Sequence, residues 1–263
     1  MLLAVDIGNS SIKFGIFDKD HLISKFTIPT VREYSAEEIN NLIKSNLNCP
    51  IQAVIVSSVV PRINGAIRNF SENHLKIKPI FVDSSFDSGL KIKYLPPENL
   101  GADRFVAAFA AREKYGAPCI ICDFGTATTI DAVNSKSEFI GGIIAPGIET
   151  LAESLYLKAA KLPRVEIEKP NGVFGNSTVS AIQSGVFYGY LGLTEGILRR
   201  MINELNEKPR VVSTGGFSRL IAENCEIIEI VNENLLLEGL QMIYKRISAE
   251  PSKTDAKSNQ QIK

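Results

Sequence analysis

Tryptophan is absent from this 263-residue sequence, methionine occurs three times and histidine only twice. His21 and His74 lie far apart in the chain, so no histidine-based metal motif can be written. Net charge is missing as well, because 29 Lys and Arg balance 29 Asp and Glu. A balanced chain without a basic stripe has no field to draw in nucleic acid or an anionic membrane. No apolar run approaches the roughly 20 residues of a membrane span. No basic stretch precedes the first apolar run, so "MLLAVDIG" reads as a strand rather than a signal peptide. The expected location is the cytoplasm.

Cysteine is scarce too, with four in all. Cys119 and Cys122 form a C-x-x-C, a spacing used in redox and metal sites. Yet "APCIICDFGT" has the pattern of a buried strand, in which positions three apart point to opposite faces. No second C-x-x-C exists. Both read as small core residues.

What remains is ordinary globular composition, 44% hydrophobic and 22% charged. The length accommodates two lobes of roughly 120 to 130 residues each. The opening stretch, "AVDIGNSSIKFGIFD", delivers Asp6 from an apolar run into a turn of Gly8, Asn9, Ser10 and Ser11. Gly-Asn between two strands is a hairpin signal. A hairpin does not need Asp6, the hydroxyls and Lys13, whereas a phosphate cradle with a carboxylate beside it does. Both readings stand on this stretch alone.

Further along, apolar runs at 2–7, 11–17 and 22–28 read as three strands. Ser35 and Glu38 form a capping box for a helix, "QAVIVSSVV" reads as a buried strand, and Pro61 opens a helix through Asn73. "KPIFVD" is a short strand, and the Lys- and Pro-rich "SGLKIKYLPPENL" reads as a loop. A helix from Ala102 should end at Gly116. At residue 118 the pattern restarts. "PCIICDFGTATTIDAV" repeats the apolar run, the Asp, the small-residue turn and the second run, and "EFIGGIIAPG" completes another strand triplet. Helices are expected over 147–162, over 177–206 and in "LLLEGLQMIYKRI", with a strand, glycine turn and helix in "RVVSTGGFSRLIAEN". The sequence is thus an internal duplication. Its expected lobes are 1–115 and 116–248, followed by a polar, disordered tail over 249–263. Two such lobes would place both D-x-G turns at a central cleft.

The paired turns resemble the actin, Hsp70 and sugar-kinase superfamily. "DIGNSSIKFGIF" at 6–17, "GADR" at 101–104, "DFGTATTID" at 123–131 and "GGIIAPGI" at 141–148 together resemble the type III pantothenate kinase family, through residue 245 or so. The resemblance implies an α/β fold of two duplicated actin- or ribonuclease H-like lobes, each a mixed sheet with flanking helices. It implies ATP-dependent phosphorylation of pantothenate to 4'-phosphopantothenate, the first step of coenzyme A synthesis. Asp6, Ile7, Gly8, Asn9, Ser10, Ser11, Ile12, Lys13 and Thr126 would hold ATP, with Asp6 anchoring Mg²⁺ through phosphates or water. Asp123 would bind a monovalent cation, K⁺ or NH₄⁺. Tyr94, Gly101, Ala102, Asp103 and Arg104 would hold pantothenate, with Asp103 as the base and Arg104 paired to the substrate carboxylate. Thr178 would reach the site of a neighbouring subunit, implying a homodimer, and "STGGFS" at 213–218 would pack adenosine. The alternatives are another small-molecule kinase of the same fold, since acceptor chemistry varies on a shared nucleotide half, and a non-catalytic nucleotide-binding regulator. A regulator is expected to lack Asp6, Asp103 or Asp123, and all three are present.

Overall fold

A computed structural model describes residues 1–30 and 34–249. The tail expected from 249 onward lies outside them, except that Ala249 ends the last helix. The chain opens on a meander, β1 (Leu2–Ile7), β2 (Ser11–Asp18) and β3 (His21–Pro29). It continues through α1 (Ala36–Ile43), β4 (Ala53–Ser58), α2 (Pro61–Phe70) and β5 (Ile80–Val82) to α3 (Ala102–Tyr115), with β6 (Lys91–Ile92) just before α3. The second half runs β7 (Cys119–Phe124), β8 (Ala127–Val133), β9 (Glu138–Pro146), α4 (Ile148–Lys158) and α5 (Thr178–Leu205). It closes with β10 (Arg210–Thr214), α6 (Ser218–Ala222), β11 (Ile230–Val231) and α7 (Leu235–Ala249).

The duplication is visible in strand order. The first sheet runs β3-β2-β1-β4-β5, and the second contains β9-β8-β7-β10-β11 in the corresponding arrangement. In each, an antiparallel meander is extended by two parallel strands. β1 is buried along its whole length, as expected of a strand covered on both faces. Helices α1 and α2 cover one face of the first sheet, around a core that includes Ile39, Ile63 and Phe70. Helices α4, α5 and α6 cover the outer face of the second, over Phe124, Tyr190 and Leu198.

Between the sheets lie α3 and α7, in one continuous core with residues of both. Four alanines of α3, Ala107, Ala108, Ala110 and Ala111, are buried there and let the flanking layers approach closely. Besides α3, which ends at the division expected near residue 115 and packs on β7 and β8, two elements cross that division. β6 comes before it yet pairs with β9 of the second sheet, and α7 comes after it yet packs on β1, β2 and β4. β6 corrects the reading of its segment as loop. Two residues carry no periodic signal, and their pairing is fixed by β9 and by Lys91 and Lys93 reaching Glu138 at 3.3 and 3.6 Å. The helix opening at Pro61 is an α-helix to Phe70 and continues without a break as a wider π-helical turn through Leu75, just past the expected Asn73. Ser35 and Glu38 do form the capping box, in both directions. Cys119 and Cys122 are free and buried, in the cores on opposite faces of the second sheet.

Candidate active site

Asp6 is the fifth residue of β1 and Asp123 the fifth of β7, so the duplicated strands bring both carboxylates to the same end of their sheets. Ligands of such sheets bind at the carboxyl ends of the strands. The turns that follow close on themselves, with the Gly8 N–H donating to the Ser11 carbonyl at 3.0 Å and the Gly125 N–H to Ala127 at 3.2 Å. They also meet each other. The Ser10 and Thr126 hydroxyls are 2.6 Å apart across the two lobes.

Around this contact lies a cleft of about 250 Å³. Asp6, Gly8, Asn9, Ser10, Ser11 and Lys13 line it from the first turn, Asp123 and Thr126 from the second, and Asp103 from the start of α3. Gly216 and Phe217 of "STGGFS" border it too. Lys13 is the ladder partner of Asp6, so this cation stands over the acids.

Three carboxylates in so small a space perturb one another. Burial pushes Asp6 up to about 7, helped by the charges of Asp103 and Asp123 and opposed by Lys13. Burial likewise lifts Asp123 to about 6, again against Lys13. Asp103 is also raised, by burial, although the backbone N–H of Arg104 donates to its Oδ1 at 2.7 Å and favours the ionised form. Beside Asp6, its ladder partner Ser57 is fully buried, and its hydroxyl helps to favour the ionised form of Asp6. These are hard oxygen donors with excess negative character, and they suit cations such as Mg²⁺ and K⁺. Among the described residues no three His, Cys, Asp or Glu side chains converge as a metal site. A cation here would be shared between protein and phosphate oxygens.

The sequence-selected residues divide into groups. Ile7 and Ile12 do not line the cleft; they pair with each other in the ladder and their side chains are buried in the core behind the turn. Arg104 is buried, and from Nε and Nη2 it donates to Asp131 at 2.5–3.2 Å. Tyr94 stands over its guanidinium at 5.2 Å. Arg104 and Tyr94 thus form a second cluster beside Asp103, with Gly101 and Ala102 at the start of the same helix. Thr178 is exposed at the start of α5 and does not line the cleft of its own chain. Asp131 was quoted in its motif but given no role. Its signal was an acid at an inward position of a buried strand.

Gly215 fixes the second turn. Its φ is +92°, and a Cβ there would lie 2.5 Å from Asp123 Oδ1 and 2.6 Å from the Phe124 carbonyl oxygen. Gly215→Ala should therefore lose about 1–3 kcal/mol of stability in urea unfolding, from strained backbone and overpacking together. A loss below about 0.5 kcal/mol, the range of an unremarkable surface change, would mean that the turn yields freely and does not fix Asp123.

Comparison with known proteins agrees with this arrangement. The family model for type III pantothenate kinase matches residues 2–200. A type III pantothenate kinase of Bacillus cytotoxicus is 44% identical over 252 residues, covering 94% of this chain and 96% of that protein. Among solved structures, a conserved Campylobacter jejuni protein named for the Baf family of transcriptional activators is 21% identical, with a TM-score of 0.59 over 94% of this chain and 98% of its own. A ROK family glucokinase from Streptomyces griseus is 13% identical, with a TM-score of 0.53 over 93% and 99%. Those two likenesses speak for the fold alone. The chain belongs to the type III pantothenate kinase family, built on the two-lobed fold of the actin-like sugar kinases.

Proposed function

We propose that this chain transfers the γ-phosphoryl group of ATP to the primary hydroxyl of pantothenate, giving 4'-phosphopantothenate for coenzyme A synthesis. The observation that carries the reading is the meeting of the two D-x-G turns, Ser10 against Thr126, beside the half-buried Asp103. Phosphoryl transfer asks the protein mainly for alignment and charge stabilisation. Gly8 to Ser11 offer backbone N–H groups and hydroxyls to the phosphates, Lys13 offers a positive charge, and Thr126 completes the cradle from the other lobe. Asp103 accepts the proton of the attacking hydroxyl. Arg104 meets the pantothenate carboxylate, with Tyr94 alongside.

Asp6 would hold a divalent metal through phosphate or water, and Asp123 a monovalent cation. Bound there, such ions would offset the negative charge of the phosphate oxygens. Residues 1–115 and 116–248 serve as the two lobes. Exposed apolar side chains gather on the end of α4 and the segment leading into α5, including Leu157 and a fully exposed Phe174. Such exposure suits burial against a second copy, with Thr178 of one subunit serving the cleft of the other. Among the described residues no helix is long and apolar enough to cross a membrane, which accords with a cytoplasmic enzyme.

The test is coupled ADP release with pantothenate against a panel of sugars and acetate. Turnover should require pantothenate and Mg²⁺. It should also be faster in K⁺ or NH₄⁺ than in Na⁺, a difference that Asp123→Ala removes while circular dichroism stays unchanged. Turnover with a sugar instead would transfer the site to another acceptor, and equal rates in Na⁺ and K⁺ would strip Asp123 of its cation role.

A further inference from the structure

Asp131 has no part in the roles above, yet it grips the residue on which acceptor recognition depends. It is 2% exposed at the fifth position of β8, facing Arg104, which is 6% exposed on α3. A guanidinium carries five N–H donors in a fixed plane. Arg104 directs Nε at both Asp131 oxygens, 3.2 and 3.0 Å away, and one Nη2 hydrogen at Oδ1, 2.5 Å away. This side-on pair consumes one edge of the plane. The end-on edge keeps one Nη1 and one Nη2 hydrogen, a fork matched to a carboxylate, with the Tyr94 hydroxyl as the other side-chain partner of the guanidinium.

The pair is also walled in. Tyr94 and Phe139 stand 5.2 and 5.8 Å from the guanidinium carbon. Across the β8–β9 ladder the partner of Asp131 is Gly142, and a Cβ there would come within 2.3 Å of Asp131 Oδ1 and 2.1 Å of the Ile130 carbonyl oxygen. Only glycine leaves space for this carboxylate. Arg104 cannot rotate freely with one edge bound and aromatic rings beside it. Most of the ordering that a long side chain must undergo on binding is thereby completed in the free protein.

We propose that Asp131 is a positioning residue for acceptor specificity. It holds Arg104 side-on so that the free end-on fork is aimed at a substrate carboxylate. The inference rests on the pantothenate reading above. Its bland rival is a buried ion pair that only ties α3 to β8, and the two roles separate by substrate.

The experiment compares pantothenate with pantothenol, in which a hydroxymethyl group replaces the carboxylate, in wild type and Asp131→Asn. Positioning predicts that KM for pantothenate rises by about tenfold or more, the effect of misplacing a hydrogen bond to a charged group. Its kcat should stay within about threefold, and kcat/KM for pantothenol should stay within the same factor, so the discrimination between the substrates collapses. An equal loss on both substrates would overturn the proposal, because a purely structural pair serves both alike. Wild type can be tested without any variant, by ¹⁵N NMR of the Arg104 side chain during pantothenate titration. The Nε–H signal should hold its place while the Nη signals shift; a dominant Nε shift would mean that substrate displaces Asp131, and would overturn the proposal even if Asp131→Asn fails to fold. A wild type that turns over neither compound removes the pantothenate reading itself, and this inference with it.

Discussion

Replacing Asp103 by Asn should lower kcat for pantothenate phosphorylation by about 10²–10⁴, the usual worth of a positioned general base. The substitution keeps size and shape. An Asn Oδ1 can still accept the Arg104 N–H that Asp103 Oδ1 accepts at 2.7 Å, so the start of α3 should survive. What disappears is the second oxygen's capacity to take a proton. Burial raises the Asp103 carboxyl above the ordinary carboxylate range, which makes it a stronger base than a surface Asp. The loose transition state of phosphoryl transfer allows proton removal to come late. Even so, losing a carboxylate that also orients the hydroxyl should cost at least about tenfold, or 1.4 kcal/mol of barrier.

Nucleotide binding separates this outcome from general damage. Asp103 contributes to the charge that raises Asp6, and its neutralisation makes the cleft less hostile to a triphosphate. ATP affinity in Asp103→Asn should therefore be equal to or tighter than in wild type. The pH profile supplies a further check. The acid limb of kcat/KM should lose the contribution of Asp103 in the variant and keep those of Asp6 and Asp123. Unchanged kcat would reduce Asp103 to a favourable charge at a helix N-terminus, and the base would have to be sought elsewhere.

The two turns of this cleft were legible in sequence because their logic is local. Asp6, Gly8 and Lys13 follow one another along one hairpin, and the restart at residue 118 exposed the second copy. Strand order then follows from the duplication, since a repeated meander builds a repeated sheet. The cluster around Arg104 is different. Arg104 and Asp131 lie on different elements, and only the packing of α3 on β8 brings them together. The resemblance and the shape of its guanidinium therefore pointed Arg104 at a substrate carboxylate, with no hint that one edge was already taken. Ile7 and Ile12 fell inside a motif that reads as continuous, but strand alternation turns their side chains into the core. β6 was invisible for the same reason as the ion pair: its partner, β9, lies more than forty residues further along the chain. Thr178 poses the converse problem, because no feature of one chain says what a second would bring to it.

The charge crowding has a thermodynamic consequence that can be measured without substrate. In the unfolded chain Asp6 titrates near 3.8, whereas in the fold burial raises it to about 7. Between those values the folded state retains a proton that the unfolded state has lost. Stability is therefore unaffected by this group below about pH 4, falls as pH rises toward 7, and stays reduced above that. One pKa unit corresponds to about 1.4 kcal/mol, so Asp6 should destabilise the cation-free protein by on the order of 4 kcal/mol at pH 8. Asp6→Asn removes the charge and keeps the shape. In EDTA-treated protein, with a bulky organic cation as the only counter-ion, the variant should unfold several degrees above wild type at pH 8 and within about a degree of it at pH 4. Added Mg²⁺ and K⁺ should raise the wild-type midpoint, because ions that bind only the folded state stabilise it, and should raise the variant's much less. Asp123, lifted to about 6 by the same burial, should behave alike over a narrower pH window, with K⁺ the more effective ion. The expected cost is activity, as these carboxylates are held in an unfavourable place that bound cations relieve. An Asp6→Asn protein no more stable than wild type at pH 8 would show that Lys13 already neutralises the site, leaving no electrostatic demand for a metal there.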